Sequence, residues 1–419
     1  MVSSAGWKPA GPAHQVGRSG LTSDQCKWNR IVPHTSLWHP PGAGTLAAPP
    51  PWTVAMNLAK LKRYLLPGLV FQSVVIAGGY GTGRELAEFF LRYGPTGGLL
   101  AMVLVSTVIW SAVCAVSFEY ARHHRHFEYR GFFRSLLGPA WVLFEMAYVV
   151  LLFIVLAVIA AAAGSILDEL FGLPYWVGVV GMMAMVGFLV FRGSDAIERF
   201  LTGWSVILYA VYAAFFVLAF ARFGPAIRDA FRQHPVQPGW ALGGVRYAAY
   251  NLAVIPAVLF SVRHLETRRE AIGAGVLAGA IAIIPGILFY VVMAGQYPGI
   301  LERPVPANTL LALLGRRWFQ IAFQVVLFGT LIETGTGLIH AINERLASAF
   351  RDAGRPMPRV VRPAVGLGLL LAGTLLARVG LIDLIARGYG ALTWVFLLIY
   401  VVPILSIGVW RLRTATAQP

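Results

Sequence analysis

Long apolar runs, each followed by a short polar stretch, constrain this chain more than any other feature of its sequence. A run of roughly 20 apolar residues is long enough to cross the hydrocarbon core of a bilayer as a helix. Hydrophobic residues make up 58% of the 419 residues and charged residues only 12%, too few to cover the surface of a soluble protein. The runs lack the alternation of barrel strands, so the sequence predicts an all-α integral membrane protein.

About ten transmembrane helices are predicted from these runs. Their approximate limits are residues 65–92, 96–120, 139–167, 174–192, 195–222, 240–261, 270–296, 316–348, 360–378 and 383–410. Loops on the side of the first span's N-terminus carry roughly twice as many lysines and arginines as the opposite loops, which predicts a cytoplasmic N-terminus and a cytoplasmic C-terminus. The chain is therefore expected to be a multi-pass protein of the inner (plasma) membrane. Its net charge of +16 belongs to loops that face lipid headgroups, and no nucleic-acid partner is expected.

The first 56 residues differ from the rest. They are rich in proline, glycine, serine and tryptophan, show no periodicity, and are predicted to be a disordered tail. Met56 opens a basic segment that is typical of a chain start, so our hypothesis is that translation begins there and that the preceding residues are not native. The remainder divides into a first five-helix repeat at 57–230, a second at 240–412, and a cytoplasmic tail at 413–419.

The evidence for a repeat is one alignment offset shared by three features. FEMAYVVLLF at residues 144–153 and FQIAFQVVLF at residues 319–328 are identical at five of ten positions, at an offset of 175. The same offset carries span two onto span seven, and the AGGYGTG string at 77–83 onto LAVIPAV at 252–258. Because five helices are an odd number, the second repeat must enter the membrane from the opposite side, which predicts an inverted repeat.

Two spans carry features that predict a break in the helix. Span one contains a run of glycines, each of which weakens a helix by about 1 kcal/mol relative to alanine, directly before Arg84 and Glu85. Span six contains Pro256, which frees a carbonyl one turn earlier, near Asn251. Paired breaks of this kind line substrate and ion sites in transporters, whereas the alternatives are close helix packing through glycine and a simple proline kink. The candidate binding residues are Gly78, Gly79, Tyr80, Gly81, Thr82, Gly83, Glu85, Asn251, Ala253 and Pro256.

Span eight contains a carboxylate near its middle. A carboxylate is costly at that depth, so Glu333 is predicted to face a cavity or a partner, and a structural hydrogen bond to another helix is the alternative. Thr334 and Thr336 add hydroxyl oxygens, and Glu333 with Thr334 forms a candidate sodium site. Glu333 and Thr336 are expected to share one helix face. The segment near residues 307–315 is expected to form a short interfacial helix that acts as an outer lid.

At the GYGTGRE string and the IETGTGLIHAINER string, the chain resembles the YkvI-like family of bacterial membrane proteins, within the amino acid–polyamine–organocation superfamily with the LeuT fold. The resemblance covers about residues 60 to 412. It implies a 5+5 inverted repeat, broken helices one and six, and a central site for a small solute. Gly81, Thr82 and Gly83 match the glycine pair at the helix-one break of sodium-coupled symporters. Glu333 and Thr334 resemble the acidic or hydroxyl pair at a helix-eight sodium site, and a glutamate there leaves proton coupling open.

These features predict a secondary active transporter, coupled to Na⁺ or H⁺, for a small organic solute such as an amino acid or amine. No HExxH, GxSxG or GxxxxGK[ST] motif is present, so neither an enzyme nor an organic cofactor is expected. One alternative is a membrane sensor or binding protein with a transporter fold. Another is an ion channel, suggested by the GYG string, although span six offers no second copy. The sequence does not indicate the substrate or the oligomeric state.

Overall fold

The computed structural model describes residues 51–76, 78–192, 194–352, 354–358 and 360–416, and within these ranges it contains helices and no β-strand. Residues 1–50 of the predicted tail and Ala77 of the predicted break lie outside the described residues. The first helix, α1, spans Pro51–Val75 and so begins before Met56.

The predicted architecture of about ten spans is confirmed. Among the described residues, seven helices are long and apolar enough to cross a membrane, and an eighth, at Tyr175–Val190, is apolar but shorter. The other two spans are interrupted helices. The first consists of α1, α2 (Gly78–Gly81) and α3 (Arg84–Phe89).

The remaining helices follow in chain order. They are α4 (Pro95–His124), α5 (Tyr129–Leu137), α6 (Trp141–Phe171), α7 (Tyr175–Arg192), α8 (Ser194–Gln233), α9 (Trp240–Asn251), α10 (Leu259–Val262), α11 (Arg268–Ala294), α12 (Pro306–Leu313), α13 (Arg317–Asp352), α14 (Val361–Leu376) and α15 (Leu381–Thr414). The helix α8 extends well beyond residue 222, because Phe223, Ile227 and Ala230 lie on one buried face after the apolar run has ended.

The second interrupted span is formed by α9, a 3₁₀ segment at Leu252–Ala257, and α10. Its irregular segment lies where the repeat offset places the break of the first span. The same offset also brings α5, which precedes α6, onto α12, which precedes α13. The inverted repeat therefore includes the short helices between spans as well as the spans themselves.

The spans pack in two groups. In the first group α11 packs against α1 and α4. Gly275 and Gly279 of α11 lie so close to α4 that a side chain on either would overlap the backbone at Ala115 or Ser111, which is how small residues bring membrane helices together. In the second group α6, α7, α13 and α14 pack against one another. The first interrupted span also contacts the second group, where its α2 segment packs against α6 and α13, and that arrangement positions the site.

Candidate functional site

A cavity of about 350 Å³ lies beside the two interrupted spans. Five spans contribute to it, namely the first, third, fifth, sixth and eighth. The lining residues are Ser73, Val74, Ile76, Tyr148, Leu151, Leu152, Val155, Leu208, Tyr209, Val254, Ala257, Thr330, Glu333, Thr334, Gly337 and Leu338. Most are apolar, and Glu333 is the only charged residue among them.

Glu333 is half-buried and faces this cavity. It makes no hydrogen bond or ion pair with any residue that the structure describes. Thr330, Thr334 and Gly337 share its face of α13. Thr336, which the sequence placed on that face, is fully buried and lies outside the lining, and its hydroxyl has no hydrogen-bond partner among the described residues. The reason is helical geometry: the cavity lies on the side of Glu333 that carries Thr334 and Leu338, and Thr336 falls on the other side.

The irregular segment of span six reaches the cavity through Val254 and Ala257, on either side of the half-buried Pro256. Because proline has no backbone N–H, the helix cannot continue regularly through this position. Ala253 is buried, and Asn251 donates from Nδ2 to the carbonyl of Tyr247 at 3.0 Å. These three predicted residues support the segment that lines the cavity but are not part of the lining.

The glycine-rich break of span one is stabilised by hydrogen bonds within the protein. Gly83 has φ of 82°, the left-handed region that favours glycine, and its N–H donates to the carbonyl of Tyr80 at 2.9 Å. The hydroxyl of Thr82 donates to the carbonyl of Gly79 at 2.9 Å, and Tyr212 donates to the carbonyl of Gly81 at 3.3 Å. Three carbonyls of the break, those of Gly79, Tyr80 and Gly81, therefore already accept hydrogen bonds from protein donors. The span-one residues in the cavity lining precede the break.

Glu85 forms a second buried carboxylate, away from the cavity lining. It is 2% exposed, and its carboxylate accepts a hydrogen bond from the hydroxyl of Tyr250, whose ring stacks on Tyr389 at 4.7 Å. Gly79 makes room for it, because a side chain at that position would overlap the Glu85 carboxylate. Tyr80, also buried, has a hydroxyl without a hydrogen-bond partner among the described residues. No described basic side chain pairs with Glu85.

The segment before α13 is tied to both groups of helices. Arg84, which is 3% exposed, donates to the carbonyls of Leu301 at 2.5 Å and Arg303 at 3.2 Å. The N–H of Ala307 donates to the carbonyl of Thr82 at 3.0 Å. Asn308 donates to Glu169 of α6 at 2.6 Å and accepts from Gln324 of α13. The short helix predicted near residue 307 is therefore present as α12, held between the broken span and α6 and α13.

At the opposite end of the cavity, Arg345 of α13 lies over two tyrosine rings. Its guanidinium carbon is 4.1 Å from the ring centre of Tyr148, which lines the cavity, and 4.2 Å from that of Tyr129. Glu145 lies 3.8 Å from the same guanidinium group. This ion pair of Glu145 with Arg345 lies next to the cavity wall.

Sequence reasoning missed most of the cavity's hydroxyl groups. Ser73, Tyr209 and Thr330 come from three different spans, and each is an ordinary polar residue within an apolar run. Thr330 could have been found from its position one turn before Glu333. Ser73 and Tyr209 carry no comparable signal, because only the packing of the spans brings them to the cavity.

Comparisons with known proteins agree with this architecture. No family model matches the chain. The chain is 22% identical over 280 residues to the uncharacterised membrane protein YkvI of Bacillus subtilis, a match that covers 67% of this chain and 80% of that protein. Its structure is similar to that of MhsT in complex with L-phenylalanine, with a TM-score of 0.50 and 19% identity over 82% of this chain and 86% of MhsT. The chain therefore resembles YkvI in sequence and has the LeuT fold.

A weaker likeness relates this chain to a manganese transporter of Eremococcus coleocola, with a TM-score of 0.38 and 15% identity over 86% of this chain and 88% of that protein. We draw no argument from it. The resemblance that the sequence predicted, to the YkvI-like family and the LeuT fold, is confirmed. At these identities the similarity to solved structures concerns the fold, and the role of each site residue stays a prediction.

Proposed function

We propose that this chain is a secondary active transporter that moves a small organic solute, coupled to Na⁺ or H⁺, through the cavity beside Glu333. The observation that carries the proposal is the Glu333 carboxylate, which has no hydrogen-bond or ion-pair partner among the described residues and faces a cavity lined by both interrupted spans. A charged group that lacks a partner at membrane depth is costly to maintain and commonly marks an ion or substrate pathway. The LeuT fold, shared with solved transporters, supports the same conclusion.

The positions of the lining residues relative to the two helix breaks support a proposal about the conformation. Span one contributes Ser73, Val74 and Ile76, all before its break, and span six contributes Ala257, at the end of its irregular segment. With the N-terminus in the cytoplasm, as the loop charges favour, these residues lie on the cytoplasmic side of the breaks. On the outer side the hydrogen bonds of Arg84 and Asn308 hold α12 in place. We therefore propose that this state is closed to the outside, with α12 as its lid.

Alternating access would then require movement of one helix group against the other. We propose that the group containing α1, α4, α9 and α11 rocks against the group of α6, α7, α13 and α14. Opening to the outside would break the contacts of α12 with one group. Glu333 and Thr334 would carry the coupling proton or sodium ion.

The test is a ligand screen followed by transport. We would measure the melting temperature of the purified chain with amino acids, amines and organic acids, each with and without sodium and at two pH values, because a ligand of the folded state raises that temperature. A stabilising ligand would then be tested for uptake into proteoliposomes under an ion gradient. Glu333→Gln is expected to abolish coupled uptake without changing the melting temperature of the free protein. Binding without uptake would instead identify a sensor, and wild-type uptake by Glu333→Gln would remove Glu333 from the mechanism.

A further inference from the structure

The hydroxyl groups that line the cavity nearly all present the same chemistry to a ligand. Ser73 donates its hydrogen to the carbonyl of Val70 at 2.9 Å, Thr334 to Thr330 at 2.9 Å, and Thr330 to Val326 at 3.1 Å. A hydroxyl that has donated its single hydrogen can offer only lone pairs to a further partner. These three hydroxyls can therefore accept hydrogen bonds from a ligand but cannot donate to it.

Tyr209 follows the same rule. Its hydroxyl donates to the side-chain oxygen of Gln72 at 3.2 Å, and the amide nitrogen of Gln72 donates in turn to the carbonyl of Ile281 at 2.7 Å. This second bond fixes the orientation of the amide, so the hydrogen of Tyr209 is directed away from a ligand. Tyr148 is the remaining lining hydroxyl, and its ring is covered by Arg345. The polar side chains of the lining are thus one carboxylate, four hydroxyls that can only accept, and the hydroxyl of Tyr148.

Such a lining selects the charge of its ligand. An organic anion or the carboxylate of an amino acid needs hydrogen-bond donors or positive charge, and among the described residues no lysine, arginine or histidine lines the cavity. The first two N–H groups after the span-one break are also engaged within the protein, because Gly83 donates to the carbonyl of Tyr80 at 2.9 Å and Arg84 donates to the hydroxyl of Thr82 at 3.4 Å. A primary ammonium group has three donors and one positive charge, which match Glu333 and the hydroxyls of Thr330 and Thr334.

The remaining part of the lining determines the polarity of the ligand beyond its ammonium group. Leucine, isoleucine and valine side chains from five spans form the walls, and a second cavity of about 210 Å³ shares Ile76, Leu208 and Tyr209 and adds Phe216 and Leu288. Few polar groups line this region beyond the acceptors already described. The body of a ligand in this cavity would therefore be apolar.

We propose that the cavity binds an apolar primary amine as its ammonium ion, and that Glu333 gives up a proton to solvent when the amine binds. The ammonium replaces the proton on one carboxylate, so the net charge of the cavity is the same in both states, and the two ligands exclude each other. This inference rests on the proposed function and assigns its substrate class. It predicts exchange of amine for proton rather than cotransport of an amino acid with sodium.

The titratable groups around Glu333 are few, so the exchange of amine for proton is expected to take place at the Glu333 carboxylate. Tyr209 lies beside it on α8, Tyr148 lines the cavity from α6, and the α1 and span-six lining has no titratable side chain. The nearest charged pair that we find around the lining, Glu145 with Arg345, lies behind Tyr148. A change of pH is therefore expected to act on amine binding chiefly through Glu333.

Three probes with the same ring test the proposal on the full-length purified chain: 2-phenylethylamine, L-phenylalanine and 3-phenylpropionate. Binding is measured by calorimetry at several pH values and in buffers with different ionisation enthalpies, which reports the protons released. Only the amine is expected to bind, with release of up to about one proton and an affinity that weakens by up to about tenfold per pH unit on acidification. Glu333→Gln should weaken amine binding on the order of 30-fold or more and remove the proton release. The matched control, Glu302→Gln at an exposed glutamate, should change neither.

The outcomes separate this inference from the proposed function. Tighter binding of L-phenylalanine or 3-phenylpropionate than of the amine, absence of amine binding, or unchanged amine binding in Glu333→Gln would overturn the inference. If one of the other two probes is also taken up into proteoliposomes, transport stands and only the substrate class is wrong. Amine binding with proton release but without uptake would support the inference while refuting transport.

Discussion

Arg84 provides a direct test of the proposed closure of the outer side by α12. It is 3% exposed and donates to two carbonyls in the segment before α12, those of Leu301 and Arg303. Hydrogen bonds from a charged donor contribute about 1.5–3 kcal/mol each, so Arg84→Ala should remove at least about 3 kcal/mol from the closed state. If water satisfies these carbonyls in the open state, the ratio of open to closed molecules rises roughly 150-fold.

The assay follows a buried reporter. Val305, immediately before α12, is fully buried, so a cysteine introduced there should react with a membrane-impermeant maleimide only when the outer side opens. We expect Val305→Cys to be labelled much faster in the Arg84→Ala background than in the wild-type background. The parent chain without the reporter gives the background from Cys26 and Cys114.

The matched control uses Arg92, because Arg84 and Arg92 both form ion pairs with the carboxylate of Glu88. Arg92 also pairs with Glu88, but its side chain is 50% exposed, and no hydrogen bond from it to the segment before α12 is found among the described residues. Arg92→Ala should therefore leave the labelling of Val305→Cys close to the wild-type rate. Equal acceleration by Arg84→Ala and Arg92→Ala would refute the reasoning, since it would show that the loss of charge beside Glu88, rather than the loss of the carbonyl contacts, opens the outer side.

Further predictions concern stability. Tyr250→Phe removes a hydroxyl donor from the buried Glu85 carboxylate and should cost about 1–3 kcal/mol, seen as a lower melting temperature; an unchanged value would mean that water replaces the donor. Gly79→Ala should destabilise the fold because the new methyl group meets Glu85, whereas Gly181→Ala, in open space on α7, should be neutral or stabilising by up to about 1 kcal/mol. Equal melting temperatures for these two variants would contradict the packing at Gly79. Arg345→Lys keeps the positive charge but loses the planar guanidinium that covers two tyrosine rings, and should lower the melting temperature measurably. If Arg345→Ala lowers the melting temperature no further than Arg345→Lys, the charge at this position contributes nothing to stability.

The sequence predicted the fold more completely than the site. Pro256 and the glycine run identified both interrupted spans, because proline and glycine disturb a helix through their own backbones wherever it packs. Glu333 was found because a carboxylate at membrane depth is unusual whatever surrounds it. Thr336, in contrast, was placed on the face of Glu333 from helical spacing alone. The cavity lies on the other side of Glu333, and its direction depends on how the neighbouring spans pack.

The sequence by itself determined that this chain spans a membrane, how many times it does so, and where its two repeats and their breaks lie. Those properties follow from local hydropathy and backbone chemistry, since lipid requires each span to satisfy its own hydrogen bonds. Only the tertiary structure decided that Ser73, Tyr209 and Thr330 meet around Glu333, that three carbonyls of the glycine break already accept hydrogen bonds, and that four of the lining hydroxyls have donated their hydrogens. These properties depend on which atoms of distant spans come within about 3 Å of one another, and hydropathy carries no information about such contacts.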